Sequence, residues 1–266
     1  MILPTISVEK PWGKDRLPAP FSAPAGQRIG EIWFEPPAAL DQLLVKYIFT
    51  SEKLSIQVHP DDDQAEAAGL GRQGKSECWY VIDADEGARL GIGFDGSCDA
   101  AALRASALDG SIEDMLVWHA VKAGDFFYIP ANTVHAIGAG VSLIEVQQNS
   151  DVTYRLYDYG RPRELHLDAA VAVARRGPYN MELFRHVPPH GTQRLVDGPF
   201  FVLDRVEGPI PEMNARDYPG ALLVIARSAG VSVEGREVAV GECALASSVR
   251  DVCVDIGATC LLTCPR

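Results

Sequence analysis

The 266-residue sequence predicts an antiparallel all-β protein, a sandwich or barrel, with a few helices. Two observations carry that prediction. Short runs rich in β-branched and aromatic residues recur about every ten residues, and Gly, Pro, Asp and Asn separate them. At least one of these runs alternates polar and apolar side chains, the period of a strand that buries one face.

Along the chain the predicted strands are "EIWFEP", "LLVKYIFT", "LSIQVH", "CWYVID", "RLGIGF", "DFFYIP", "VSLIEVQ" and "TYRLYDY". Helices are expected over 60–71, where acidic residues sit at a helix start, over 164–176, apolar at helical spacing with Gly177 behind it, and over 101–116. The Pro- and Gly-rich stretch 177–199 reads as a connector. Further strand-like runs follow, "FFVLDRV", "ALLVIARS", "GREVAVGECALAS" and "ATCLLTC". The expected division is therefore an N-terminal domain over 1–176, a connector over 177–199 and a smaller β domain over 200–266. No histidine follows His190, so a second barrel would be built without imidazole ligands and without a metal site.

Composition narrows the functional classes. Hydrophobic residues make up 47% and charged residues 23%, as in ordinary globular domains. A net charge of −12 argues against nucleic-acid binding, which needs Lys and Arg to neutralise phosphates. It also requires any phosphorylated substrate to meet a local basic patch against the overall field. No apolar run reaches the ~18–20 residues of a membrane helix, and no secretory signal opens the chain, so a cytoplasmic protein is expected. Six cysteines form no CxxC pair, and free thiols are the expected state.

The chemistry concentrates in three stretches. In "KLSIQVHP" period 2 puts Ser55, Gln57 and His59 on one face, and Leu54, Ile56 and Val58 on the other. In "KSECWYVI" Lys75, Glu77, Trp79 and Val81 share a face. "GDFFYIPANTVHAIG" supplies a strand, a Pro-Asn turn and His135. One Gln, two His and one Glu at strand edges suit Zn²⁺ or a similar borderline divalent ion, with room for water or substrate. Singly, each of these residues is an ordinary hydrogen-bonding group. Trp12 and Trp33 offer sugar-stacking platforms or, as the simpler reading, aromatics closing one end of the barrel. His119, His166, His186 and His190 lie off these strands and read as structural or exposed.

In order and spacing, "SIQVHPDD", "GKSECWYV", "GDFFYIPANTVHAIG" and "NSDVTYRLYDYGR" resemble the short bacterial form of type I mannose-6-phosphate isomerase, a zinc enzyme of the cupin superfamily. "KPWG" and "IGEIWFE" extend the likeness over residues 1 to about 180. The resemblance implies a jelly-roll cupin barrel followed by a degenerate, cupin-like second one, with one Zn²⁺ ion per chain. It places the ligands on Gln57, His59, Glu77 and His135, a catalytic arginine on Arg155, an active-site lysine on Lys75, and substrate contacts on Ser55 and Arg161. Asn132 stands where the second cupin motif usually has Gly, and Lys14 stands where the family usually has a second Gly after "KPWG". The chain is also shorter than most members, which implies a trimmed second barrel.

The implied activity interconverts mannose 6-phosphate and fructose 6-phosphate through an enediol. That reaction asks for a cation near two oxygens, a group that moves the proton and an anchor for phosphate. Arg155 suits the enediolate, while Lys75 or Glu145 could move the proton. Arg161 and Arg163 are the phosphate candidates, with Ser55 donating; the simpler reading of Arg163 is a solvated loop residue. Two alternatives stand beside this one: a metal cupin acting on another sugar phosphate or using iron, and a non-catalytic sugar-binding cupin. Either form is expected to work as a monomer or homodimer, with no nucleic acid or membrane partner.

Overall fold

The computed structural model describes residues 1–266, apart from the side chains of residues 213 and 214. The strands β1 (Thr5–Lys14), β2 (Ile29–Phe34), β3 (Leu43–Phe49), β4 (Ile56–Val58), β5 (Glu77–Ala84) and β6 (Arg89–Phe94) open the chain. Then come β7 (Leu116–Ala120), β8 (Asp125–Ile129), β9 (His135–Ile137), β10 (Val141–Gln148), β11 (Tyr154–Tyr157) and β12 (Phe184–His186). They sort into a seven-stranded sheet, β1-β2-β3-β10-β5-β8-β12, and a five-stranded sheet, β11-β4-β9-β6-β7. The pairings within both sheets are antiparallel. Trp12, Ile48, Trp79, Leu90, Phe127 and Leu143 belong to the core between them. This is the expected all-β cupin architecture.

A second pair of sheets follows, built from β13 (Gln193–Asp197), β14 (Phe201–Glu207), β15 (Leu222–Ala226), β16 (Val231–Val233), β17 (Arg236–Glu237), β18 (Cys243–Ala246), β19 (Val252–Val254) and β20 (Thr259–Pro265). Their orders are β13-β14-β20-β15-β18 and β17-β16-β19. The residues 177–199 are woven into both halves rather than left as a bare linker. β12 pairs with β8 of the first half, and β13 pairs with β14 of the second.

Strand β3 shows why the seven-stranded sheet is buried on both sides. All seven residues of "LLVKYIF" are buried, so the run lacks the polar alternation of a half-exposed strand. Val45, Tyr47 and Phe49 pack with Leu203, Leu223, Ile225 and Leu261 of the second half. Ile48 points the other way, into the first barrel. Lys46 shares that inner face, and it is the only charge in the run.

The helices cover the outer face of the five-stranded sheet, where Leu103, Ala107, Ala170 and Val171 pack on Ile56, Val58 and Leu156. They are shorter than the sequence suggests. α1 (Asp62–Ala67) has a capping box from Asp61 and Gln64. The stretch 101–116 divides into α2 (Ala100–Asp109) and α3 (Ile112–Met115), because Gly110 ends the first in a left-handed conformation, φ 87°. α4 (Leu167–Val173) loses both expected ends to tertiary pairing. His166 N donates to Arg155 O at 2.8 Å, and Arg175 N donates to Asn132 O at 2.8 Å. Among the described residues no helix is long and apolar enough to cross a membrane.

Candidate metal centre and the cavity beside it

Three strands bring the four predicted ligands together. Gln57 on β4 lies directly opposite His135 on β9. His59 follows two residues after Gln57, on the same face. Glu77 enters from the facing sheet as the first residue of β5. Its approach depends on Gly74, where a Cβ would fall 2.4 Å from the Asp61 backbone carbon, so the chain can pass closely under Pro60–Asp61. The passage is fixed by Lys75 N donating to Pro60 O at 3.0 Å and by Gly74 N donating to Asp62 Oδ1 at 2.7 Å. Asn132 takes φ 69°, which explains how it replaces the usual Gly, and its Nδ2 donates to Gln64 Oε1 at 2.7 Å.

One ligand atom from each of His59, Glu77 and His135 lies within 4.8 Å of the others. His59 Nδ1 donates to Val152 O at 2.7 Å, and His135 Nδ1 donates to Thr133 O at 2.9 Å. A carbonyl can only accept, so both rings carry their proton on Nδ1 and turn a bare Nε2 lone pair to the centre. The two Nε2 atoms stand 3.7 and 3.4 Å from the Glu77 carboxylate oxygens. Lone pairs facing lone pairs at that range repel unless a cation sits among them.

Both Glu77 oxygens are buried without a hydrogen bond of acceptable geometry, although Lys75 Nζ lies 3.2 Å from Oε2. Burial, reinforced by the charge of Glu145, pushes the Glu77 carboxyl up to about 7. Burial also holds His59 well below its ordinary value and takes His135 down to about 4. The donor set is therefore two neutral imidazoles and a carboxylate short of positive charge, which fits a borderline divalent ion. Gln57 turns its Nε2 to the imidazoles, 3.5 Å from His59 and 3.4 Å from His135, while Ser55 Oγ donates to its Oε1 at 3.1 Å. Amide N and O are exchangeable by rotation, and the exchange gives the centre an oxygen and Ser55 an N–H to accept.

Beside the cage is a cavity of about 330 Å³. Ser55, Gln57 and Lys75 form the wall next to the cage, and Glu145, Arg155 and Arg163 also line the cavity. Five cations (Lys10, Lys46, Lys75, Arg155, Arg163) face three carboxylates (Glu31, Glu145, Asp151), leaving a balance of +2 in a chain of net charge −12. Trp12 and Trp33 both line this cavity, and Trp12 also belongs to the core between the two sheets. Arg163, read as a solvated loop residue, also lines it, whereas Arg161 is not among its walls.

The sequence reading passed over Lys46, Glu31 and Lys10. Trp33, Lys46, Glu145 and Trp79 lie in one row across β2, β3, β10 and β5. Lys46 Nζ sits 3.3 Å from Glu145 and 4.6 Å from the Trp33 ring centre. Trp79 Nε1 donates to Glu145 at 3.0 Å. Although burial opposes ionisation of Glu145, Lys46, Lys75 and Trp79 outweigh it and hold that carboxyl below its ordinary value. Glu31 accepts from Trp33 Nε1 at 2.7 Å and pairs with Lys10 at 3.5 Å. A lone Lys in "LLVKYIF" and a lone Glu in "IGEIWF" were the available signals, since a charge in a fully buried strand needs a partner.

No protein-family model matches the chain. The mannose-6-phosphate isomerase of Streptococcus mutans is 39% identical over 181 residues, 65% of this chain and 57% of that protein. Mannose-6-phosphate isomerase ManA of Bacillus subtilis is 44% identical over 137 residues, 49% of this chain and 43% of that protein. The chain thus spans about half the length of these curated relatives. The crystal structure of the mannose 6-phosphate isomerase from Bacillus subtilis superposes with a TM-score of 0.76, at 25% identity and over 98% of both chains. A putative mannosephosphate isomerase from Archaeoglobus fulgidus gives a TM-score of 0.74 at 18% identity, over 99% of both chains. The cage and the cavity thus sit in a chain that is similar in sequence to part of these mannose-6-phosphate isomerases and shares the cupin fold of the solved ones.

Proposed function

We propose that the chain is a metal-dependent aldose–ketose isomerase that interconverts mannose 6-phosphate and fructose 6-phosphate through an enediol. The observation that carries this reading is the buried Glu77 carboxylate, its oxygens without a well-aligned hydrogen bond, between the Nε2 atoms of two imidazoles and next to a cavity whose lining charges sum to +2. Its volume of about 330 Å³ lies at the small-ligand end of known binding sites. The names of the relatives supply the sugar.

Gln57, His59, Glu77 and His135 would hold the ion, and zinc is the ion that this mixture of imidazole and oxygen donors suits best. When bound, it would supply Lewis-acid polarisation of the substrate oxygens. The chain's own residues do the rest. Glu145, kept ionised by Lys46, accepts the proton leaving C2 and returns it to C1, which restores the carboxylate. Lys75, buried and paired with Glu77, keeps its ammonium form and donates toward a substrate oxygen as charge develops there. Arg155 lies opposite Gln57 in the β4–β11 ladder, and its guanidinium stabilises the enediolate. Ser55 orients Gln57 and contacts substrate. Every one of these groups comes from one chain, so the reading holds for a monomer or a homodimer. Sugar phosphates are retained inside cells by their charge, which puts the reaction in the cytoplasm.

A coupled assay for fructose 6-phosphate formed from mannose 6-phosphate tests the reading. Wild-type protein is expected to be active, to lose activity to a chelator and to regain it on metal return. His135→Ala is expected to lose metal and at least about a hundredfold in rate. Full turnover by that variant, or by chelated wild type, would remove the cage from the reaction.

A further inference from the structure

Three of the cavity's cations, Lys10, Arg155 and Arg163, are partly exposed, and Lys10 and Arg163 differ in what neutralises them. Lys10 and Arg163 each expose 29% of their side chains, against 6% for the deeper Lys46 and Lys75. A phosphate dianion keeps part of its hydration at such a rim while its sugar reaches inward to the cage. Lys10 is balanced by Glu31, 3.5 Å away. Arg163 is not balanced in the same way.

Asp158, with a side chain 1% exposed, takes Arg163 Nε and Nη2 on its two oxygens, each at 2.6 Å. The same carboxylate also pairs with Arg161 Nε at 3.3 Å. Two guanidiniums thus share one carboxylate, and Arg155 adds a third positive charge that makes no ion pair among the described residues. Arg161, Arg163 and Asp158 together therefore keep a charge of +1 before Arg155 is counted, while Lys10 with Glu31 carries none. Glu164 is exposed and gives Arg155 its carbonyl, at 2.6 Å, rather than its carboxylate. Burial, and next the positive charge of Arg163, make the Arg155 guanidinium easier to deprotonate, with Asp158 and Glu164 opposing them.

Arg161, the arginine that the motif singled out, is not on the cavity wall, although its Nη1 is buried without a hydrogen-bond partner. Arg161 Nη2 donates to Lys53 O, and its guanidinium lies 5.5 Å from the Tyr159 ring centre. Arg163 lines the cavity, and its Nη1 is engaged by nothing among the described residues.

We propose that the substrate's phosphate docks on Arg163, that Asp158 is the residue positioning it, and that Arg161 and Lys10 are not the phosphate contacts. Arg155, the cross-strand neighbour of Gln57, then stands between the anchored phosphate and the reacting carbons. The inference rests on the isomerase reading for its substrate, but the anion site can be tested without turnover.

The test compares metal-loaded wild type, Arg163→Gln, Arg163→Lys, Asp158→Asn and Lys10→Gln in two measurements. These are KM and kcat for mannose 6-phosphate, and the affinity for inorganic phosphate by calorimetry. Arg163→Gln is expected to raise KM and weaken phosphate about ten- to a hundredfold, with kcat changed less than about threefold, the effect of losing a charge-assisted contact outside the reacting atoms. Arg163→Lys keeps the charge and the fold but loses the fork, and falls between. Asp158→Asn moves KM more than kcat, and Lys10→Gln has the smaller effect on both measurements. A Lys10 effect equal to or above that of Arg163, or phosphate affinity untouched in Arg163→Gln, overturns the proposal. Wild type that binds phosphate through Arg163 yet forms no fructose 6-phosphate leaves the anion site standing and brings down the isomerase reading instead.

Discussion

Each barrel buries a carboxylate completely, and the two carboxylates are treated in opposite ways. In the second barrel Asp204 accepts from Arg194 Nε at 2.6 Å, from Arg194 Nη2 at 3.2 Å and from the Tyr218 hydroxyl at 3.0 Å. Arg194 also reaches Asp217 at 2.6 Å, and Tyr218 is shared with Leu262 O at 3.0 Å. That network is closed by protein groups alone. In the first barrel Glu77 is as deeply buried, yet its oxygens meet two imidazole lone pairs and a misaligned ammonium. Burial by itself therefore does not distinguish a structural carboxylate from a functional one. What distinguishes them is whether the chain completes the carboxylate's partners or leaves the place for something else.

The comparison breaks most readily at Glu77. Glu77→Gln removes the carboxylate that the cage needs, so bound metal is expected to fall below about a tenth of wild type and turnover with it. The metal-free variant also leaves the buried Lys75 ammonium without its carboxylate, so its unfolding free energy falls by about 1–3 kcal/mol, and metal content is what marks it out. Asp204→Asn should act on stability alone. It leaves metal content and KM as they were and costs about 2–4 kcal/mol, read as a lower urea midpoint, because the change leaves Arg194 and Tyr218 imperfectly matched. If Glu77→Gln unfolds the protein, or Asp204→Asn strips the metal, the contrast between the barrels is wrong.

Much of the first barrel was legible because strands obey period 2. Ser55, Gln57 and His59 fall on one face by arithmetic, and the structure uses that face for the cage and cavity. The second wall was not legible in the same way. Lys46 and Tyr47 look alike in "LLVKYIF" until the second barrel covers the Val45, Tyr47, Phe49 face and leaves Lys46 pointing inward. Which side of a doubly buried strand lines a cavity is a tertiary fact. Arg161 and Arg163 show the same limit at shorter range. They are two residues apart in one loop, and only the position of Asp158, with Gly160 at φ 76°, decides which reaches the cavity. The helix ends failed for a related reason, since propensity knows nothing of His166 pairing with Arg155.

The smallest expected effect is also the one that separates the members of the cage from one another, and it concerns the metal-free protein. Glu77 titrates near 7 when folded and near 4.5 when unfolded, so the folded state holds its proton more tightly. That favours folding at low pH, and the benefit, about 3 kcal/mol at most, drains away as pH rises from about 4.5 to 7. His135 works the other way. Its folded value is about 4 against an ordinary 6.5, so its contribution is present above about 6.5 and is lost as pH falls toward 4. His59 has the same sign. Across pH 4.5–6.5 the carboxylate and one imidazole therefore nearly cancel, and only the second imidazole shows as a mild loss of stability on the acid side. Glu77→Gln removes the compensating member. Metal-free Glu77→Gln should lose stability between pH 6.5 and 5 more steeply than metal-free wild type, by about 1 to 2 kcal/mol over that interval in urea titrations. Parallel curves for the two proteins would mean that Glu77 and the imidazoles do not oppose one another, and that the Glu77 oxygens are better satisfied in the metal-free protein than their geometry implies.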